Sequence, residues 1–588
     1  MKSHSAEMEE TIALLEQEMW RDGIDLDLLG RYQRLCRERE HAIARQGKDD
    51  RHEFLIVIPV ADRPQHLAEC LESLLTLCRT YEYGGCVQGR YPKVAVLIAD
   101  DSGDLANIAQ NRAIAAGFTR QGLETLYFGL AEQTELLRRL TAADSDRLAP
   151  IIGDTRQGAL PHKGASITRN IAYLKLRELT RKDRRQLFYF IDSDQEFRVR
   201  VETPEGEQDL FAINYFHHLD ALFSQREISL LTGKVVGDPP VSPAVMAGNF
   251  LTDVIAFLSR MAELEPDQSC RFHAGDRAPA DEAAYHDMAD LFGFKGARDA
   301  FPYRCTLDGG HDHVACFKAF ARKLGHFFDG AHPTRKSHYQ YKDPAASLSP
   351  ARTVYTGNYI FRPGCLDYFI PFAPLKLRMA GPVLGRILKA ELKERFVSAN
   401  LPMLHKRTLR QTGQSEFRPG VCRTREVCDI SCELERQFHG DLMLFAMEEL
   451  TAQGYPSCPL TPTGIGPLLQ ETAETLHRKY LAKQALIGEG LTRLQALFDA
   501  SRDGGEGREL GAASFDEQNW WNHRADLAEA RGQFAAFIGN IERNFGSGAE
   551  GYALIGPGPN REQRLQAIAG AIFGYAGDRA AWESRDLG

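Results

Sequence analysis

The sequence predicts an α/β protein: a doubly wound, mostly parallel sheet carrying helical additions at both ends. Three observations support this. Apolar, β-branched runs alternate with amphipathic stretches between residues 54 and 194. Several of those runs end abruptly in carboxylates, as in Phe188–Phe197, FYFIDSDQEF. The two ends of the chain, by contrast, carry helical periodicity alone.

At 588 residues the chain exceeds one ordinary core. Three regions are predicted: a helical extension at 1–50, a main domain at 51–425 with halves 51–200 and 201–425, and a helical domain at 426–588. Hydrophobic residues make up 43% and charged residues 26%, a globular balance. The net charge of -9 argues against a general nucleic-acid binder. No apolar stretch is read as reaching the length of a membrane span, and the N-terminus lacks an apolar signal core, so a cytoplasmic location is expected.

In chain order, Ile12, Leu15 and Met19 recur at helical spacing, and RYQRLCREREHAIARQ continues that pattern. FLIVIPV reads as a strand buried on both faces. ADRPQHLAECLESLLTLC follows as a helix, with Leu67, Cys70, Leu71, Leu74 and Leu75 on one stripe. VAVLIADDSGD is a second strand ending in acids. Residues 104–116 read as helix, LETLYFG as a strand, GASITRNIAYLKLREL as a helix and LFYFIDSD as the next strand. Residues 200–350 are less regular: EISLLTGKVVGDP suggests a strand and turn, and 265–345 reads as loops with short helices. VYTGNYIFRPG returns to strand texture. Beyond about 430 the texture is helical, with breaks at GYPSCPLTPTG and SRDGGEGRELG.

Ligands of such sheets bind at the carboxyl ends of the strands, where Asp100, Asp101, Asp192 and Asp194 fall. Asp192 and Asp194, one residue apart at a strand end, suit Mg²⁺ or Mn²⁺, which take oxygen ligands and share substrate phosphates. Lys163 precedes a helix start, where backbone N–H groups and the dipole favour anions. Lys376, Arg378, Arg386 and Lys389 could clamp an anionic acceptor, or form a cationic helix face that touches a membrane surface. Cys270, His273, Cys305, His311, His313 and Cys316 have zinc-ligand chemistry, but their spacing matches no common zinc module. Twelve cysteines without a CxxC pair are expected as reduced thiols.

The order IVIPVADRPQHLAECLESLL, VLIADDSGD, HKGASITRNIAYLK and FYFIDSD resembles the GT-A fold nucleotide-diphospho-sugar glycosyltransferases, broadly the family 2-like members, over about residues 54–410. The resemblance implies a metal-dependent hexosyltransferase that moves a sugar from a UDP- or GDP-linked donor to an acceptor hydroxyl. It places Pro59, Asp62, Asp100, Asp101, Lys163, Asp192 and Ser193 on the nucleotide sugar. It gives Asp192 and Asp194 the metal, Mn²⁺ or Mg²⁺, and casts Asp194, Lys163 and Arg378 as catalytic. Thr356, Gly357 and Asn358, with Arg378 and Arg386, would line the acceptor. Inverting members carry an acidic pair that PLKLRMAGPVLGRILKAELKERF lacks, Glu391 being the nearest acid downstream. The chain therefore looks more like the retaining glucosyl-phosphoglycerate and mannosylglycerate synthases. Those add a late histidine to the metal site, and His405 is the matching position. Two other readings stand beside this one. A nucleotidyltransferase would have a glycine-rich first loop, whereas VADRPQH has no glycine. A non-catalytic binding protein could keep the fold. For residues 426–588 the sequence leaves homo-oligomerisation and acceptor recognition both open.

Overall fold

A computed structural model describes residues 2–47, 49–140, 142–153, 162–203, 206–273, 303–354, 357–424, 427–458, 460, 462–499 and 519–584. Thr356 and the SRDGGEGRELG break lie outside the described residues.

The strands are β1 (Glu53–Val60), β2 (Val94–Asp100), β3 (Glu124–Phe128), β4 (Gln186–Ile191), β5 (Gln195–Glu196), β6 (Val199–Thr203), β7 (Gly206–Leu210), β8 (Leu230–Gly237), β9 (Ser349–Pro350), β10 (Asn358–Phe361), β11 (Phe396–His405), β12 (Cys422–Thr424) and β13 (Val427–Asp429). Nine of them form one mostly parallel sheet, in the order β3-β2-β1-β4-β10-β8-β11-β5, with β9 on β11. β3, β2, β1 and β4 are parallel neighbours. β10 runs antiparallel between β4 and β8, and β11 returns parallel to β8.

Alternation along β1 explains why both faces are covered. Leu55 and Val57 enter one core with Ile171, Phe250 and Phe438, whereas Phe54, Ile56 and Ile58 enter another with Tyr32, Leu71 and Phe216. The predicted N-terminal helices are Lys2–Met19 and Leu26–Arg45, and their Met19 and Tyr32 are wholly buried against the second face. The C-terminal helices, among them Ser431–Ala452 and Pro559–Ser584, share the first core: Phe438 and Trp582 have no exposed surface.

Strands form within each of the runs FLIVIPV, VAVLIADDSGD, LETLYFG, LFYFIDSD, EISLLTGKVVGDP and VYTGNYIFRPG, and the helices expected in ADRPQHLAECLESLLTLC, 104–116 and GASITRNIAYLKLREL are Pro64–Tyr81, Leu105–Arg120 and Ala165–Glu178. Among the elements that were not predicted, two bear on the fold most. β11 carries a register irregularity between Ser398 and Pro402, which blurs its alternation. Pro243–Ala262 is a 20-residue helix in the stretch read as irregular. It also corrects the expectation of no span-length apolar segment: by length and composition alone it could cross a membrane. Here 67% of its apolar window is buried inside the protein.

Candidate active site at the strand ends

Three loops at the carboxyl ends of β1, β2 and β4 are tied to one another. After β1 the chain enters a left-handed turn at Asp62, with φ 51°. The Asp62 N–H donates to Ser102 Oγ at 2.8 Å, and its carboxylate accepts from the Gly103 and Asp104 N–H groups, both at 3.0 Å. Pro59 sits in the ladder opposite Ala99. Asp100 ends β2 almost fully buried and accepts from Ser102 N–H, Asn111 Nδ2 and the Tyr127 hydroxyl at 2.8 to 2.9 Å. Asp101 accepts from the Lys163 and Gly164 N–H groups, and Lys163 Nζ lies 2.7 Å from its carboxylate. The predicted Lys163 is thus at the site but fully engaged with Asp101.

β4 delivers Asp192, Ser193 and Asp194 in a tight turn, closed by Gln195 N–H donating to the Asp192 carbonyl at 3.0 Å. Asp192 pairs with Arg169 at 2.6 Å, from the first turns of the helix Ala165–Glu178. Its side chain keeps 32% exposure, enough to meet a ligand. Ser193 is buried. Asp194 Oδ2 receives Arg407 at 2.8 Å and Arg63 at 3.0 Å. Burial opposes ionisation of Asp194, but the Arg407 and Arg63 guanidiniums overcome it and hold the carboxyl well below its usual range.

His405 closes β11 beside this turn. Its Nδ1 lies 2.8 Å from the Asp238 carbonyl, which can only accept, so Nδ1 carries the proton. Burial, then Arg407, lowers its pKa and keeps the ring neutral. The bare Nε2 faces Asp194 Oδ2 at 3.8 Å. Two acceptors facing each other at that separation suit a shared cation, and an outer carbonyl fixing the tautomer is a common metal-site device. Asp194 and His405 offer one such pair; Asp192 is paired with Arg169, and among the described residues no third ligand atom converges with theirs, while Arg63 and Arg407 compensate Asp194.

Arg63, in the first loop, and Arg378 were singled out from the sequence, whereas Arg169, Arg407 and Arg418 were not. Arg378, expected at the acceptor, pairs with Glu433 of the helix Ser431–Ala452 at 2.8 Å, and Arg418 joins the same carboxylate at 3.0 Å. Arg63, Arg169, Arg378, Arg407 and Arg418 thus share three carboxylates, Asp192, Asp194 and Glu433. Burial pulls the Arg418 pKa down to about 10; Glu433 opposes this while Arg407, Arg378 and Arg63 add to it. Buried N–H groups on Arg169, Arg407 and Arg418 have no partner among the described residues. Such a surplus of positive charge with spare donors fits an anionic ligand. The signal for it was the basic run HKRTLRQ after β11.

The remaining predicted residues have other surroundings. Gly357 is packed so closely that a Cβ would lie 2.5 Å from Gln195 Nε2. Asn358 is wholly buried, donating to the Lys234 and Leu401 carbonyls and accepting from Tyr189, so its side chain clasps the sheet. Arg386 is buried against the Arg352 carbonyl and Glu448. Glu391 faces Arg579 of the C-terminal helix at 3.6 Å. No known protein family matches the chain, and no curated protein sequence matches it.

Proposed function

We propose that the protein is a glycosyltransferase that moves a sugar from a UDP- or GDP-linked donor to an acceptor hydroxyl. One observation carries this reading: five guanidiniums share three carboxylates, the strand-end pair Asp192 and Asp194 and the helical Glu433, beside the neutral imidazole of His405. A diphosphate needs compensating positive charge there, and it becomes the leaving group when the anomeric carbon is attacked. Asp192, Asp194 and His405 would hold Mn²⁺ or Mg²⁺, which when bound neutralises part of the diphosphate charge. Arg63, Arg169 and Arg407 supply donors toward the same oxygens. Asp101 and Lys163 fix the loop before the helix Ala165–Glu178, and Asp62 and Asp100 shape the loops that would receive the nucleotide. The acidic pair of inverting relatives has no counterpart in the segment 374–396, which favours retention.

The guanidiniums on Asp194 favour a second reading of the same chemistry, in which arginines alone take the diphosphate and no metal is needed. A thermal-shift panel of UDP- and GDP-sugars, with Mn²⁺, Mg²⁺ or chelator, separates the two. Stabilisation by one donor that requires the metal supports the first reading, and stabilisation unaffected by chelator supports the second. No stabilisation by any donor under either condition counts against both.

A further inference from the structure

A second cluster of metal-ligating side chains lies outside the strand-end site. The segment read as polar loop with unmatched cysteines brings Cys270, His273, Cys305 and His311 together, with one ligand atom of each within 4.8 Å of all the others. His311 Nε2 sits 3.2 Å from Cys305 Sγ and 3.2 Å from His273 Nε2. A tetrahedral zinc with Zn–S near 2.3 Å and Zn–N near 2.0 Å places neighbouring ligand atoms about 3.3 to 3.8 Å apart. The observed cluster needs only small side-chain adjustments to meet that geometry.

The tautomer of His311 points the same way. Its Nδ1 lies 3.0 Å from the Gly309 carbonyl, which can only accept, so the proton sits on Nδ1. Nε2 is left as a lone pair aimed at the centre of the cluster, held there by a backbone carbonyl as metal-bound histidines are.

The backbone holds the ligands without help from their side chains. Cys270 N–H donates to the His311 carbonyl at 2.8 Å, and Cys305 N–H donates to the Phe272 carbonyl at 3.3 Å. Ser269 and Asp312 form a β-bridge. Asp312 then caps the helix His313–Leu324 by accepting from Ala315 N–H at 2.7 Å. Underneath, Phe257, Phe272, Tyr303 and Phe320 form an aromatic floor. His313 is not a ligand: it is fully buried, with Nδ1 2.6 Å from the Glu265 carbonyl and Nε2 accepting from Arg271 N–H.

We propose that Cys270, His273, Cys305 and His311 bind one structural zinc ion. Two thiolates and two imidazoles in a compact set select zinc among the common divalent metals. Four protein ligands leave no open position, so the ion is structural rather than catalytic. Binding would release the thiol protons and join Cys270 and His273 to Cys305 and His311 above the aromatic floor. The site is independent of the glycosyltransferase reading, since none of its residues touches Asp192, Asp194 or His405.

The test uses full-length protein, purified tag-free without chelator, and counts metal by elemental analysis. One zinc per chain is expected. Cys305→Ser and His311→Ala are expected to lose it, and Asp194→Asn to keep it. Should the ligand variants fail to fold, wild-type protein stripped of metal and reloaded with Co²⁺ gives the answer by absorption. Thiolate-to-cobalt charge transfer with intense tetrahedral d–d bands is expected. A chain that carries no zinc and takes up neither Zn²⁺ nor Co²⁺, or a cobalt spectrum without thiolate bands, would overturn the proposal. So would a disulfide among Cys270, Cys305 and Cys316 in protein purified under reducing conditions.

Discussion

At the scale of single residues, Asp194 is the pivot. It is buried, and two guanidiniums and an imidazole converge on it. Its folded pKa is depressed, so the unfolded chain takes up a proton near pH 3.9 while the folded carboxyl stays ionised to a lower pH. The stability it contributes is complete above the unfolded value and is lost as pH falls through the folded one. Asp194→Asn leaves two arginines without their carboxylate and should cost about 3–5 kcal/mol at neutral pH. That difference from wild type should shrink in acid, as read by urea unfolding at several pH values; a gap independent of pH would contradict the pairing. The sequence exposed Asp192 and Asp194 because they end an apolar run, whereas His405 was named only through the resemblance. It hid Arg407 as a partner of Asp194 and Glu433 as a partner of Arg378, since ion pairs across 213 and 55 residues leave no local pattern. It also paired Lys163 with a phosphate, whereas the fold pairs it with Asp101.

At the scale of elements, β10 and the turn after β4 are interlocked. Gly357 precedes β10 and abuts the Gln195 side chain, whose Oε1 accepts from the Asp192 N–H at 3.1 Å. Gly357→Ala should displace Gln195 and loosen the acidic turn. The expected result is weaker nucleotide-sugar binding by calorimetry with unchanged circular dichroism; unchanged binding would show that the turn stands without this packing. Within the helix Ser431–Ala452, Asp441 is fully buried and accepts from Tyr480 and Gln437. Burial raises its pKa to about 7. The folded chain then holds a proton that the unfolded chain has lost, so this group erodes stability as pH rises from about 4 to about 7. Asp441→Asn should flatten that part of the stability–pH curve; an unaltered slope would contradict it. The strands β1, β2 and β4 were legible because burial on both faces demands continuous apolar runs. The helix Pro243–Ala262 was not singled out, although its buried Phe250, Val254, Phe257, Leu258 and Met261 recur at helical spacing, because the stretch around it reads as irregular. The zinc ligands failed differently. The local pairs Cys270/His273 and Cys305/His311 are short, but 31 residues separate them and their order fits no standard module.

At the scale of the whole molecule, the helices beyond residue 426 complete the core of the sheet. Trp582 is buried with its indole N–H donating to the Leu366 carbonyl at 2.9 Å, and Glu433 anchors Arg378 and Arg418 beside the strand-end site. The near-ultraviolet signal of Trp521 and Trp582 and the far-ultraviolet signal should therefore vanish together in urea; separate transitions would show an independent C-terminal unit. Composition marked residues 426–588 as helical, but it could not show that their carboxylates serve a site on the sheet. The measurement that bears most directly on the central reading is release of nucleoside diphosphate from UDP- and GDP-sugars by the purified protein, with Mn²⁺ and with chelator, for wild type and Asp194→Asn. Turnover of one donor by wild type, falling at least about a hundredfold in the variant as expected for loss of a charge-stabilising group, is the predicted result. Turnover of no donor under either condition, or equal turnover by the variant, would contradict it.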